Sequence, residues 1–294
     1  RGLIGLKKSE AFAQSVILWV SITSQTKTPD PKMKRKYAPL SLNSSLSYSV
    51  VFASMLFASA CLGQGLDTRA LEVALSGPDR EVTDFVRDSA RKPVQVLEFL
   101  GIQTGMTVLD LYAAGGYYTF ILSKAVGEKG TVYAQNTERG LRFVEDRQNI
   151  SQGEALNAKI ERGNLANVVQ IVRPLKEIGL ADNSVDLIIV AQTLHDYYNP
   201  NPERAIQMLQ QLRLLLKPGG VLGITDHVGV AGADNTDLHR MEIQQAVELA
   251  GQAGFEVETS EALRVSTDDH SRSIFDPRLN RSTDRFLLKL TKPL

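Results

Sequence analysis

Three features follow one another between Val108 and Leu122: an apolar run, a cluster of small residues and a helical pattern. The apolar run reaches Asp110, and the small residues Ala113 to Gly116 come soon after it. This order predicts a strand, a tight turn and a helix. Small side chains at such a turn let a ligand lie against the backbone, and the N–H groups at a helix start favour polar or anionic groups. The turn is therefore the first candidate ligand site.

A second strand is predicted at 131–134, after a helix that ends near Val126 and a short turn. Strand, helix and strand within roughly thirty residues form a βαβ unit, in which the two strands are parallel. Nucleotide-binding folds place an acidic residue at the end of the second strand, where it binds ribose hydroxyls. This chain has Asn136 there. Its amide can bind a hydroxyl without charge assistance, or it can be a turn residue without a ligand.

Five more strands are predicted from apolar or alternating runs at 158–160, 185–190, 221–225, 254–257 and 286–290. The run at 185–190 is nearly all apolar, as in a strand that is buried on both faces of a parallel sheet. Helical patterns occupy 201–216 and 241–253. The chain after residue 93 is therefore predicted to form one α/β domain.

The run from 185 through the Leu-Lys-Pro-Gly-Gly of 216–220 to the next strand resembles the middle of the class I S-adenosyl-L-methionine (SAM)-dependent methyltransferases. The turn after Asp110 resembles the first motif of that family. Tyr112 and Ala114 stand at its first two glycine positions, and Gly116 keeps the third. The resemblance, which spans about 93 to 293, implies an α/β, Rossmann-like SAM-methyltransferase fold. That fold has a seven-stranded, mostly parallel sheet in the order 3-2-1-4-5-7-6, with helices on both faces.

The resemblance also implies that the cofactor is SAM. Gly163 and Asn164 are similar to the adenine-contacting Gly-Asp of the family, with an amide in place of the acid. The implied cofactor-binding residues are Asp110, Tyr112, Ala113, Ala114, Gly115, Gly116, Asn136, Asn164 and Gln192.

Histidine and aspartate residues form a second candidate site. The pairs His195-Asp196 and Asp226-His227 follow two strands that are predicted to be neighbours, and ligands in open α/β sheets bind outside the carboxyl ends of the strands. Three interpretations stay open: acid–base catalysis with His195 as the general base, a His/Asp metal site, or a polar rim with satisfied hydrogen bonds. We expect catalysis by these four residues together with His270, and no bound metal.

Four tyrosines near the two candidate sites either line an apolar pocket or pack in the core: Tyr117, Tyr118, Tyr197 and Tyr198.

Composition limits the partners of the chain. Its 294 residues are 43% hydrophobic and 22% charged, which is ordinary for a globular protein with a sizeable core. Lys+Arg 33 and Asp+Glu 33 cancel, so no overall field attracts nucleic acid or an anionic membrane. The single cysteine, Cys61, excludes an intramolecular disulfide and a cysteine-rich metal site. We therefore expect a small-molecule substrate and no nucleic-acid partner.

The stretch from Met33 to Ala60 has a basic start, a short apolar core and small residues at its end. These are the parts of a secretory signal peptide, and the apolar core is too short to span a bilayer. A buried helical hairpin is the alternative. Ala58-Ser59-Ala60 fits a signal-peptidase site, and Cys61 also resembles the cysteine of a lipoprotein lipobox. We expect 1–32 to be a translated leader without a fold, 33–60 a signal peptide, 61–92 an N-terminal helical segment and 93–294 the SAM-methyltransferase-like domain.

Within the superfamily, the motifs at 237–240, 268–270, 275–277 and 283–286 look like those of an uncharacterised bacterial group of exported predicted methyltransferases. The resemblance implies methyl transfer to a small molecule, in the periplasm or on a lipid anchor in the cell envelope. The alternative is a non-catalytic envelope protein of the same fold that binds a nucleoside-like or other small ligand. A nicotinamide-dependent oxidoreductase is disfavoured, because the turn lacks the three-glycine fingerprint.

Overall fold

The structure is a computed structural model that describes residues 65–145 and 149–294. The expected leader, the signal peptide and Cys61 lie outside these residues. The described residues form nine α-helices and seven strands. No helix among them combines the length and the apolar character that crossing a membrane requires.

The strands are β1 (Thr107–Leu111), β2 (Thr131–Asn136), β3 (Val168–Val172), β4 (Val185–Ala191), β5 (Leu216–His227), β6 (Glu256–Ser260) and β7 (Arg285–Thr291). The helices are α1 (Thr68–Leu75), α2 (Val82–Arg91), α3 (Pro93–Leu100), α4 (Tyr117–Val126), α5 (Glu138–Leu141), α6 (Gln152–Arg162), α7 (Leu194–Tyr198), α8 (Pro202–Leu215) and α9 (Ile243–Gln252).

The seven strands form one sheet in the order β3-β2-β1-β4-β5-β7-β6, which confirms the predicted fold. The first five strands in this order are parallel, and β7 pairs antiparallel with both β5 and β6. The residues that follow β1, β2, β4 and β5 therefore meet at one edge of the sheet. Because β7 runs in the opposite direction, its first residue, Arg285, pairs with His227 at that same edge.

The predicted strand at 158–160 is wrong, because these residues lie in α6. A capping box between Ser151 and Glu154 starts the helix, and its buried residues Ala155, Leu156 and Lys159 follow helical spacing. The third strand is instead β3, which begins at 168. Asn164 consequently lies before the amino end of β3, at the edge of the sheet opposite the carboxyl ends. The adenine contact expected of Asn164 is not possible from that edge.

The described part of the predicted N-terminal segment, residues 65–92, packs against the sheet domain. Leu71 and Leu75 of α1 are buried in one hydrophobic cluster with Val96 of α3 and Phe120 of α4. The C-terminal half of α2 reaches the carboxyl edge of the sheet, where Arg91 lines a cavity. The N-terminal helices therefore supply core packing and one wall of the candidate site.

Candidate active site

The turn between β1 and α4 has an unusual backbone. Tyr112, Ala114 and Gly116 adopt positive φ angles of 53°, 49° and 82°, a region that costs energy for the two residues with a Cβ. Two amide side chains of β2 hold this conformation. Gln135 Oε1 accepts from Tyr112 N at 3.0 Å, and Asn136 Oδ1 accepts from Ala114 N at 2.9 Å. Asn136 Nδ2 also donates to Ala114 O at 3.3 Å.

The two glycines of the turn allow close packing against α6. A Cβ on Gly115 would lie 2.7 Å from Gln152 Oε1, and a Cβ on Gly116 would lie 2.7 Å from Leu156 Cδ1. Lys159 Nζ donates to Gly115 O at 2.6 Å. Gly115 also lines the cavity above the turn. The close approach at Gly116 is thus to a helix, whereas the sequence predicted an approach to the ligand.

A cavity of about 240 Å³ lies above the turn and carries both signs of charge. Its charged lining residues are Arg87, Arg91, Asp110 and Glu145, and its other walls include Ala113, Ala114, Tyr117, Tyr118 and Gln192. Arg91 donates to Gln192 Oε1 at 3.2 Å and lies 4.3 Å from the centre of the Tyr117 ring. Paired acidic and basic groups suit a zwitterionic amino-acid group. We refer to this space as the turn cavity.

Asp110 is the buried carboxyl group of the turn cavity. Burial raises its pKa from 3.8 to about 7, although Thr119 Oγ1 donates to Asp110 Oδ2 at 2.6 Å and partly offsets that effect. Asp110 therefore changes its ionisation near neutral pH. An ammonium group beside it would favour the carboxylate form.

Two more cavities lie on the other side of Tyr112. One, of about 860 Å³, is lined by Ala114, Asn136 and Thr137 among others. The other, of about 310 Å³, has the mainly apolar walls Tyr112, Pro174, Leu175, Tyr197 and Met208. The hydroxyl groups of Tyr112 and Tyr197 hydrogen-bond to each other between α7 and the turn. Both of these cavities also contain charged groups, since Arg204 lines the two of them.

His195 lies at the start of α7 and is buried against Asp226 at the end of β5. His195 Nδ1 is 2.7 Å from Asp226 Oδ1, and the backbone N–H groups of His195 and His227 donate to the same carboxylate at 2.9 and 2.8 Å. His195 Nε2 is 3.2 Å from Asp196 Oδ1. Burial alone would lower the pKa of His195, but Asp226 and Asp196 outweigh it and raise the pKa to about 10. His195 is therefore an imidazolium at neutral pH, whereas the sequence predicted a neutral base.

His227 has the opposite environment. Burial, followed by the positive charges of Arg285 and His195, lowers its pKa well below 6.5. Its Nδ1 is 2.7 Å from Thr283 Oγ1. His227 lines a cavity of about 300 Å³ that shares Arg87, Arg91 and Gln192 with the turn cavity. Of the two buried histidines, His227 is the one that is uncharged at neutral pH.

Three ligand atoms that could bind a metal come together beside α7. Atoms of His195, Asp196 and His239 lie within 4.8 Å of one another, and His239 Nδ1 is 3.6 Å from Asp196 Oδ1. His239 was not among the site residues predicted from the sequence. It lies 44 positions after His195, and the buried Arg240–Asp268 ion pair helps to position its segment. Asp196 and His239 both line the 860 Å³ cavity.

His270 belongs to a different network. Its Nε2 lies 2.8 Å from Asp284 Oδ2, and Asp284 also pairs with Arg264 at 3.0 Å. In the described ranges, no hydrogen bond, ion pair or ring contact joins His270 to His195 or His227. The structure thus brings four of the five expected catalytic residues together and leaves His270 apart.

Sequence reasoning missed the arginines of the cleft. Arg87 and Arg91 are four residues apart on α2, so they share one face of that helix. Alternation with Asp84 and Asp88 makes the sequence of α2 typical of a solvated helix, yet Asp84 is fully buried. Arg285 is the first residue of β7 and is also buried. The i,i+4 spacing of Arg87 and Arg91 is the sequence pattern that could have predicted their shared helix face.

The chain is similar to known methyltransferases. A family model described as a methyltransferase domain matches residues 102–253, just over half of the chain. Demethylmenaquinone methyltransferase of Staphylococcus aureus (strain MRSA252) is 27% identical over 128 residues, which cover 44% of this chain and 46% of that protein. The match thus spans about half the length of that relative.

Solved structures show the same fold. A SAM-dependent methyltransferase from Aquifex aeolicus superposes with a TM-score of 0.52 and 23% identity, over 76% of this chain and 98% of that chain. The [4+2]-cyclase SpnF superposes with a TM-score of 0.52 and 18% identity, over 74% and 85% of the two chains. From the family match, the sheet order and the turn after β1, the chain belongs to the class I SAM-dependent methyltransferases, whose cofactor is SAM.

Proposed function

We propose that the protein transfers a methyl group from SAM to a small-molecule acceptor in the cell envelope. The observation that carries the proposal is the shared wall between two cavities. Arg87, Arg91 and Gln192 line both the turn cavity and the cavity of His227. A methyl donor in the first cavity and an acceptor in the second would therefore be neighbours.

The charged groups of the turn cavity define how SAM would lie. Arg91 would bind the carboxylate of the amino-acid part, while Asp110 and Glu145 would face its ammonium group. The Thr137 hydroxyl would bind the ribose, and the apolar walls at Pro174 and Leu175 would receive the adenine. When bound, SAM supplies a methyl group that is activated by a positively charged sulfur. The protein itself would orient SAM and shield it from water.

His227 is the proposed proton acceptor. SAM would supply the methyl group, leaving the electron pair of the broken bond on sulfur, and the acceptor oxygen or nitrogen would lose a proton as it takes up that group. The acceptor proton passes to the Nε2 of His227, whose Nδ1 is engaged with Thr283. The His195 imidazolium and Asp226 position His227, since the Asp226 carboxylate accepts its backbone N–H.

Methyl-labelled SAM tests this proposal. The protein is incubated with labelled SAM and an envelope small-molecule extract, and label is then measured in a low-molecular-weight product. The test variant is Ala114→Trp, because Ala114 is exposed and lines the cleft, so a large side chain should block it. Ala181→Trp adds the same bulk at an exposed loop residue before β4, away from the cleft.

We expect label transfer by the wild type and by Ala181→Trp, and none by Ala114→Trp. SAM binding without label transfer would favour the non-catalytic envelope protein. The fold does not decide this point, since a [4+2]-cyclase also has it.

We also propose that the chain is exported, as in the predicted bacterial group whose motifs it resembles. The support is the order of basic, apolar and small residues between Met33 and Ala60. Mass spectrometry of the native protein should find a mature chain that begins near Cys61, with added acyl mass on Cys61 if the protein is lipid-anchored. An intact chain in the cytosol that retains Met33 would contradict export.

A further inference from the structure

The cavity that contains His227 is strongly basic. It lies between the C-terminal half of α2 and the start of β7 and is lined by Arg87, Arg91, Arg281 and Arg285. None of the described residues that line it is acidic. Its volume of about 300 Å³ is at the low end of the roughly 300–1,000 Å³ that is usual for small-ligand pockets. We refer to this space as the arginine cavity.

Arg285 is the buried charge of the arginine cavity. It is 3% exposed, and it donates to backbone carbonyl groups: Nη1 to Ala90 O at 3.0 Å and Nη2 to Arg281 O at 2.8 Å. Its Nε has no hydrogen-bond partner among the described residues. Burial and the neighbouring Arg91 lower its pKa to about 10, so the guanidinium is still charged at neutral pH.

The other buried arginines of the described chain are paired with acids. Arg240 pairs with Asp268 at 2.9 Å, and Arg80 pairs with Asp88 at 2.8 Å. Among the residues that the structure describes, no carboxylate forms an ion pair with Arg285. Burying an unpaired charge is costly, and a counter-ion offsets that cost. The environment of Arg285 therefore favours the binding of an anion.

Asp226 does not fill that role. It acts on Arg285 electrostatically, but its carboxylate already accepts hydrogen bonds from His195 and from the backbone of His227. Arg87 is likewise engaged, with Glu145 and with Asp84. The buried charge that no described carboxylate pairs with is therefore that of Arg285.

We propose that the methyl acceptor is a small acidic molecule whose carboxylate or phosphate group binds Arg285 in the arginine cavity, which Arg281 also lines. This inference rests on the proposed methyl transfer. A guanidinium binds either anion through two parallel N–H bonds, which fixes the orientation of the ligand. Because these bonds engage the anion's lone pairs, the anion is the anchor of the acceptor, and another oxygen or nitrogen receives the methyl group beside His227.

Binding of simple probes tests this inference without turnover. The thermal midpoint and the calorimetric affinity are measured at constant ionic strength with benzoate, with neutral benzamide and with inorganic phosphate. The variants are Arg285→Gln and Arg281→Gln. The control Arg213→Gln removes an arginine that also donates to a backbone carbonyl, Gly254 O at 3.0 Å, but lies on α8.

We expect benzoate, phosphate or both to bind and stabilise the wild type and Arg213→Gln, and benzamide to have no effect. Arg285→Gln should weaken anion binding about tenfold or more, the worth of one hydrogen bond to a charged group. Arg281→Gln should also weaken it, and this variant decides the matter if Arg285→Gln does not fold. Benzoate alone would indicate a carboxylate acceptor, and phosphate alone a phosphorylated one.

Equal binding of benzoate and benzamide, or anion binding that both variants retain, would overturn the inference. Its failure can be told apart from failure of the proposed function. SAM binding without anion binding removes only the acidic acceptor, whereas anion binding without SAM binding removes the methyl transfer.

Discussion

Asn136 and Ala114 form two hydrogen bonds with each other. The backbone N–H of Ala114 donates to Asn136 Oδ1 at 2.9 Å, and Asn136 Nδ2 donates to the Ala114 carbonyl at 3.3 Å. Only a side chain with both a donor and an acceptor can form this pair. The amide at the end of β2 therefore stabilises a turn that has Ala114, and not glycine, at a positive φ.

Asn136→Asp is accordingly expected to destabilise the protein. A carboxylate keeps the bond from Ala114 N but loses the donor and faces the Ala114 carbonyl. The free energy of unfolding should fall by about 1–2 kcal/mol, the usual cost of one lost hydrogen bond and its unsatisfied partner. Urea unfolding measures the fall, and calorimetry with SAM measures affinity in parallel. Unchanged stability with tighter SAM binding would instead show that this side chain contacts the ribose.

His227→Gln is expected to cut turnover by about a hundredfold or more, the usual contribution of acid–base catalysis, with little change in SAM affinity. The pKa of His227 is lowered well below 6.5, so the wild-type rate should level off by neutral pH. A rate that kept rising toward pH 10 would contradict this role. That profile would identify His195, whose pKa is about 10, as the base.

The protonated His195 should make stability depend on pH. Its pKa is raised from 6.5 to about 10 in the folded protein, so the folded state binds the proton more tightly than the unfolded state. This contribution to the free energy of unfolding is fully present below pH 6.5 and is lost as the pH rises toward 10. Urea unfolding between pH 6.5 and 10 should show this fall in the free energy of unfolding. The His195→Gln variant should show a smaller dependence on pH. His270→Gln, outside the network, is the control. A flat wild-type profile would contradict the imidazolium.

Chelation is expected to leave the protein unchanged. His195 already carries a proton between Asp226 and Asp196, so a cation at His195, Asp196 and His239 would have to displace that proton. Dialysis against EDTA should alter neither turnover nor thermal midpoint. Loss of activity that Zn²⁺ or Mn²⁺ restores, and that His239→Ala abolishes, would instead establish a metal site.

Local sequence signals predicted the parts of the fold that depend on local interactions. The apolar runs of β1 and β4 and the small residues of the turn predicted the sheet and the edge at which the candidate site lies. At 158–160 the short run Ala-Lys-Ile resembled a strand, but the capping box at Ser151 and Glu154 made the segment a helix. The helical pattern is visible over the whole of α6 and its cap, but not over three residues alone.

The electrostatics of the site could not be predicted in the same way. The ionisation of His195 depends on Asp226, which is 31 positions away and comes into contact only when β4 and β5 pair. Arg285 belongs to the motif at 283–286, but its burial follows from the antiparallel pairing of β7 with β5. Such contacts are set by tertiary packing, so residue type alone does not reveal them.

The most direct measurement is a calorimetric titration of the protein with SAM and with its demethylated product. The cleft along β1, β2 and β4 predicts one-to-one binding of both compounds to the wild type and to Ala181→Trp. Binding should be lost in Ala114→Trp, which fills the cleft where the turn and the ribose section meet. No binding by the wild type, or unchanged binding by Ala114→Trp, would contradict a SAM site at the turn after β1.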